Sequence, residues 1–82
     1  MQLIYRKEAL KALLKLPRNV ALNIRDKVEV LAADPFASNN NVKALDGTDG
    51  YRLRVGDWRI IYRIDSETLE VLRIGPRGGI YK

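Results

Sequence analysis

Arg52, Arg54, Arg59 and Arg63 stand two or four residues apart on the flanks of Gly56-Asp57, interleaved with apolar residues. A guanidinium is permanently charged and its planar fork matches phosphate oxygens, so a cluster of them is suited to hold an oxyanion. Other chemistry is scarce in the chain. There is no histidine and no cysteine, which removes the usual proton shuttle, the commonest metal ligand and every thiolate site. Asp46, Asp49 and Asp57 are scattered without calcium-loop spacing, and Gly78-Gly79 lacks a phosphate-loop pattern. Any reaction must be run by Arg, Lys, Asp, Glu, Tyr, Ser or Thr.

The arginines can act together only if a hairpin holds them. Tyr51–Val55, Gly56-Asp57 and Trp58–Ile64 read as two strands around a two-residue primed turn. That turn pairs Val55 with Trp58, Arg54 with Arg59, Leu53 with Ile60, Arg52 with Ile61 and Tyr51 with Tyr62. Alternation then sorts the side chains. One face carries Tyr51, Leu53, Val55, Trp58, Ile60, Tyr62 and Ile64, the other Arg52, Arg54, Arg59, Ile61 and Arg63. Asp65 to Thr68 forms the next turn and Leu69–Ile74 a third strand, ended by Gly75-Pro76. The same register sets Arg63 against Glu70, Ile61 against Leu72 and Arg59 against Ile74. Like charges directly opposite destabilise a sheet by a few tenths to about 1 kcal/mol, so the Arg54–Arg59 juxtaposition fits an anion held between them. It equally fits a solvated face that uses arginine against aggregation. Arg63 is accounted for by Glu70, and Trp58, Tyr51 and Tyr62 belong to the core.

Upstream, Gln2–Arg6 alternates as a first strand. Lys7–Leu16, with the stripe Leu10, Leu13 and Leu14, predicts a short helix stopped by Pro17. Asn19 is placed as the N-cap of a second helix reaching Ala33, with Val20, Ile24, Val28 and Leu31 on its apolar face. Residues 34–50 form a turn-rich linker containing a short ordered piece at Val42–Leu45. Residues 1–82 read as one domain, a small α+β fold in which a helical hairpin covers the apolar face of the sheet.

Fifteen Lys and Arg against ten Asp and Glu leave a net charge of +5, which directs the partner search to anions, nucleic acid foremost. The longest apolar run is four residues, Val30–Ala33, so neither a membrane span nor a signal-peptide core is expected and a cytoplasmic location is.

The run Gly50–Ile64 and the ending Ile74-Gly75-Pro76-Arg77 with Ile80-Tyr81 resemble the RelE/ParE superfamily of toxins from toxin–antitoxin modules. Lys43–Gly47 and the two-helix start agree with it. The resemblance implies a β-α-α-β-β-β fold with a mostly antiparallel sheet. Its RelE branch implies an mRNA endonuclease working in the ribosomal A site without metal or cofactor, with a cognate antitoxin as partner. Its ParE branch implies a poison of DNA gyrase, and a catalytically weak relative acting as a binding module is the third reading. Carried over residue by residue, the RelE pattern puts Arg52, Arg54, Arg59, Arg77 and Tyr81 in the catalytic site. Arg52 and Arg54 also bind RNA. By its charge, the helical hairpin with Lys7, Lys11, Lys15 and Arg18 suits part of a second RNA-binding surface and equally a solvated helix face. Pro76 occupies a position where the family often has histidine, and arginine stands where lysine is frequent at 52 and 54. No residue is assigned as general base.

Overall fold

In the computed structural model, which describes residues 1–79, the order is β1 (Gln2–Tyr5), α1 (Lys7–Leu14), α2 (Arg18–Ala33), β2 (Val42–Ala44), β3 (Gly50–Val55), β4 (Trp58–Asp65) and β5 (Thr68–Pro76). The five strands make one sheet ordered β1-β5-β4-β3-β2. β1 runs parallel to β5 and all other neighbours are antiparallel, which agrees with the expected α+β fold and its mostly antiparallel sheet. The helical hairpin supplies the crossover that a parallel pair needs.

Both helices pack on one sheet face. Ala9 and Leu13 of α1, with Ile24, Val28, Leu31 and Ala32 of α2, meet Leu53, Val55, Ile60, Tyr62, Leu69, Val71 and Ile74 in one core. The α2 stripe therefore turns inward as its spacing requires. The α1 stripe does not: Leu13 is buried, but Leu10 and Leu14 are 44% and 75% exposed, and Ala9 takes the inner place. An eight-residue helix can bury only a narrow strip, and a small residue lets α1 approach β5.

The start of α2 differs from the sequence expectation. Pro17 occupies the cap position, and its carbonyl accepts the Ala21 N–H at 2.9 Å, so Asn19 lies inside the first turn. Proline is suited here because its missing N–H would have no helical partner.

The β3–β4 register matches the predicted one at every pair, and Gly56 supplies the positive φ of the turn at +58°. β4–β5 matches only near the turn. Arg63 faces Glu70 and Tyr62 faces Val71, but Ile61 then faces Arg73, Ile60 faces Ile74 and Arg59 faces Gly75. The expected Ile61–Leu72 and Arg59–Ile74 pairs are thus replaced, because a bulge at Leu72 shifts the remainder of β5 by one residue. Unbroken alternation from Leu69 and Val71 would drive Arg73 into the core and Ile74 out of it, and the extra residue reverses both. The strand also runs past the expected end at Ile74, with Gly75 and Pro76 as its last two residues. β1 covers β5 only from Thr68 to Val71, so at Pro76 the strand is an edge and needs no N–H on that side.

Candidate nucleic-acid interface

The sheet face away from the helices carries the arginines. Arg52 and Arg54 rise from β3, Arg59 and Arg63 from β4, in the register the sequence predicts. Arg63 is neutralised as expected: its Nε donates to Glu70 Oε1 at 3.0 Å, its Nη2 lies 2.9 Å from the same oxygen, and Arg6 Nε lies 3.8 Å from the other carboxylate oxygen. These are the ion pairs among the described residues.

Arg59 and Arg54 find neutral partners. Arg59 is only 9% exposed, and its Nη1 donates to the carbonyls of Gly56 and Trp58 at 2.9 and 3.0 Å. A tight turn places those carbonyls beside the following residue, so the hairpin that aims Arg59 also holds it. Arg54 is exposed and donates from Nε and Nη2 to Asn41 Oδ1 at 3.3 and 3.0 Å, while its backbone N–H bonds the Asn41 carbonyl at 2.8 Å. Arg52 is half-buried, and its Nε is enclosed without a hydrogen-bond partner among the described residues. Carbonyls and an amide fix geometry but cancel no charge. The result is a cluster of oriented cations with no ion-paired carboxylate among the described residues, an arrangement that stabilises an anion without reorganising.

Arg77 joins them at the turn end. Pro76 pairs with Trp58, and the Arg77 N–H bonds the Asp57 carbonyl at 2.8 Å, bringing the exposed residue beside the β3–β4 turn. Tyr81 lies outside the described residues. Lys7 and Lys11 belong to α1, in the helical layer on the opposite side of the sheet, and are not brought to the arginine cluster. Two cations absent from the expected site do reach this face: Lys43, opposite Arg52, and Arg73, opposite Ile61. The adjacent apolar pair Val71-Leu72 before Arg73 is the signal that the alternation changes phase.

Tyr5, Tyr51, Trp58 and Tyr62 lie on the core side, as expected. Tyr62 is 1% exposed and stacks on Tyr51 with ring centroids 5.4 Å apart and planes 18° from parallel. Burial, with some help from Tyr51, pushes the Tyr62 phenol up to about 12. Burial also raises Tyr5, whose hydroxyl is enclosed without a partner; nearby Arg25 opposes the shift and Glu29 adds to it.

A second feature lies between the helices. Leu10, Leu13, Leu14, Leu16 and Leu22 line an apolar groove of about 620 Å³ with Tyr5 at its base and Arg18 and Arg25 beside it. No described helix is long and apolar enough to cross a membrane.

A family model described as the ParE toxin of type II toxin–antitoxin systems matches residues 3–81. No curated protein sequence matches the chain. Among solved structures, RelE in the archaeal RelE–RelB complex from Pyrococcus horikoshii OT3 is 30% identical, with a TM-score of 0.82 over 95% of this chain and 96% of that one. The toxin–antitoxin complex RelBE2 from Mycobacterium tuberculosis gives 26% identity and a TM-score of 0.77, covering 93% and 96%. The isolated E. coli RelE toxin has the same fold, with 22% identity, a TM-score of 0.78 and coverage of 93% and 83%.

Proposed function

The chain belongs to the ParE toxin family of type II toxin–antitoxin systems, with a RelE-like fold, and from that RelE-like fold and the arginine face we propose that it is an mRNA endoribonuclease acting on ribosome-bound transcripts. The observation that carries this reading is the arginine cluster of the open sheet face, with Arg59 fixed by two turn carbonyls, Arg54 by an amide and Arg52 Nε without a partner among the described residues. A phosphodiester undergoing cleavage is the anion such a face is suited to.

The reaction is internal transesterification. The ribose 2′-oxygen bonds to the adjacent phosphorus, the bond to the 5′-oxygen breaks, and a 2′,3′-cyclic phosphate and a 5′-hydroxyl result. The 2′ proton leaves to water and the leaving oxygen takes one from water. Arginine is a poor proton acceptor at neutral pH, so its share is electrostatic. Arg59 and Arg52 stabilise charge growing on the phosphoryl oxygens, Arg54 holds the phosphate, Arg77 hydrogen-bonds the departing oxygen, and Tyr81 stacks on a base.

The antitoxin's place is the α1–α2 groove. Leucines exposed there, flanked by Arg18 and Arg25, suit an amphipathic segment with acidic flanks, and the P. horikoshii relative is in complex with RelB. Such a segment folds as it docks.

The family model is named for the ParE toxin, and the ParE branch supplies the second reading, a gyrase poison. Primer extension on a reporter mRNA in a translating extract separates the two. Cuts that vanish with a translation inhibitor, and with Arg54→Ala in a variant whose melting is unchanged, are expected. Cuts indifferent to the inhibitor mean a free ribonuclease. Growth arrest without cuts, together with inhibited DNA supercoiling, overturns the nuclease reading.

A further inference from the structure

The β5 bulge makes a line of cations that sequence alternation alone does not produce. Lys43 pairs with Arg52, Arg52 with Ile61 and Ile61 with Arg73, so these four residues lie abreast on four adjacent strands and on one face. At the usual strand spacing the line spans about 14 Å, with the Arg52 and Arg73 backbones about 10 Å apart. Arg54 and Arg59 form the next row, about 7 Å along the strands.

Three further observations bear on this line. Glu70, the acid on the same face of β5, is already engaged by Arg63 and Arg6, and Arg73 has no ion pair among the described residues. Ile61 is only 7% exposed although it lies outside the helix-covered core. Its cross-strand neighbours are Arg52 and Arg73, whose methylene stems are placed to cover it and carry their charged ends above an apolar floor. Arg52 Nε is enclosed without a partner at the same place. Burying an N–H unpaired is unfavourable unless a ligand satisfies it.

We infer that Arg73 is a substrate-binding residue that, with Arg52 and Lys43, holds successive phosphates of the RNA strand as it crosses the sheet at right angles to the β-strands. The inference rests on the endoribonuclease reading and adds to it a direction for the substrate and a residue outside the motif positions. The bulge at Leu72 is the device that delivers the residue: without it this row would end at Ile61.

Binding of a fluorescein-labelled 2′-O-methyl oligoribonucleotide, which lacks the attacking hydroxyl, is measured by anisotropy across a salt series. Each phosphate contact adds about 0.7 to the slope of log affinity against log salt for a single strand. Arg73→Ala is expected to reduce the slope by about that amount and to weaken binding roughly three- to tenfold. Arg73→Lys restores the slope, and Lys27→Ala, an equal loss of charge on α2, changes it little. Unchanged binding by Arg73→Ala, or an equal loss from Lys27→Ala, overturns the inference alone. Failure of the wild type to bind the oligonucleotide also overturns it, while cleavage in the translating extract judges the functional reading separately. Absence of cleavage there, with growth arrest, removes both.

Discussion

Three arginines of one sheet face have three different environments, and substitution should tell them apart. Arg59 is enclosed and bonded to Gly56 and Trp58, so Arg59→Ala leaves two carbonyls short of a charged donor. It should lower stability by about 1–3 kcal/mol in urea titrations as well as abolish cleavage. Arg54 is exposed and Asn41 rehydrates when released, so Arg54→Ala should lose cleavage with a stability change within about 0.5 kcal/mol. Arg63 is paired with Glu70, the two side chains being 41% and 24% exposed. Screening holds that pair to about 1 kcal/mol or less, and Arg63→Ala should leave cleavage intact. The Arg63–Glu70 and Arg54–Arg59 pairings were legible in the sequence because a two-residue turn dictates register. What holds Arg59 was not legible, since backbone carbonyls carry no residue signature.

At the scale of elements, the β3–β4 turn and the β5 bulge aim the site. Gly56 has φ +58° and open space where a Cβ would stand, so Gly56→Ala meets only backbone strain, about 1–2 kcal/mol, and Gly56→Asn should recover part of it in thermal melts. Deleting Leu72 removes the extra residue and leaves Val71 opposite Tyr62, Arg73 opposite Ile61 and Ile74 opposite Ile60. Arg73 and Ile74 keep their faces, so the variant should fold with an unchanged circular dichroism spectrum, whereas an insertion of one residue after Leu72 should push Arg73 into the core and prevent folding. Helix α1 shows why periodicity misassigns short elements. Leu10, Leu13 and Leu14 share one stripe, yet the shallow contact with the sheet buries Leu13 and leaves the other two lining a groove. Leu14→Glu should therefore preserve melting within a few degrees and abolish capture by a cognate antitoxin.

Across the whole molecule, the buried tyrosines set an alkaline limit. An unfolded Tyr62 ionises near 10 but the folded one near 12, so folding favours the protonated phenol. That stability is fully present below pH 10, is lost as pH rises from about 10 to 12, and amounts to on the order of 2 kcal/mol. Tyr5 acts in the same direction. Tyr62→Phe should flatten the fall in denaturant midpoint over this range. A midpoint that still falls equally steeply in Tyr62→Phe would assign the alkaline limit elsewhere.

The order of the elements other than β2, the β3–β4 hairpin register, the core face and the presence of an uncompensated arginine face followed from the sequence alone, because they depend on period, turn chemistry and charge within a few residues of one another; β2, three residues in a turn-rich stretch, was legible only as a short ordered piece. Which helix leucines stay exposed, where Arg73 points and what Arg59 bonds were decided by the tertiary structure. Each depends on how far one layer reaches over another: α1 covers β5 with a narrow strip, β1 leaves the end of β5 as an edge, and a single extra residue restores Ile74 to the core. That last adjustment, driven by burial of one isoleucine, turns a strand that would have ended the cation row into one that extends it.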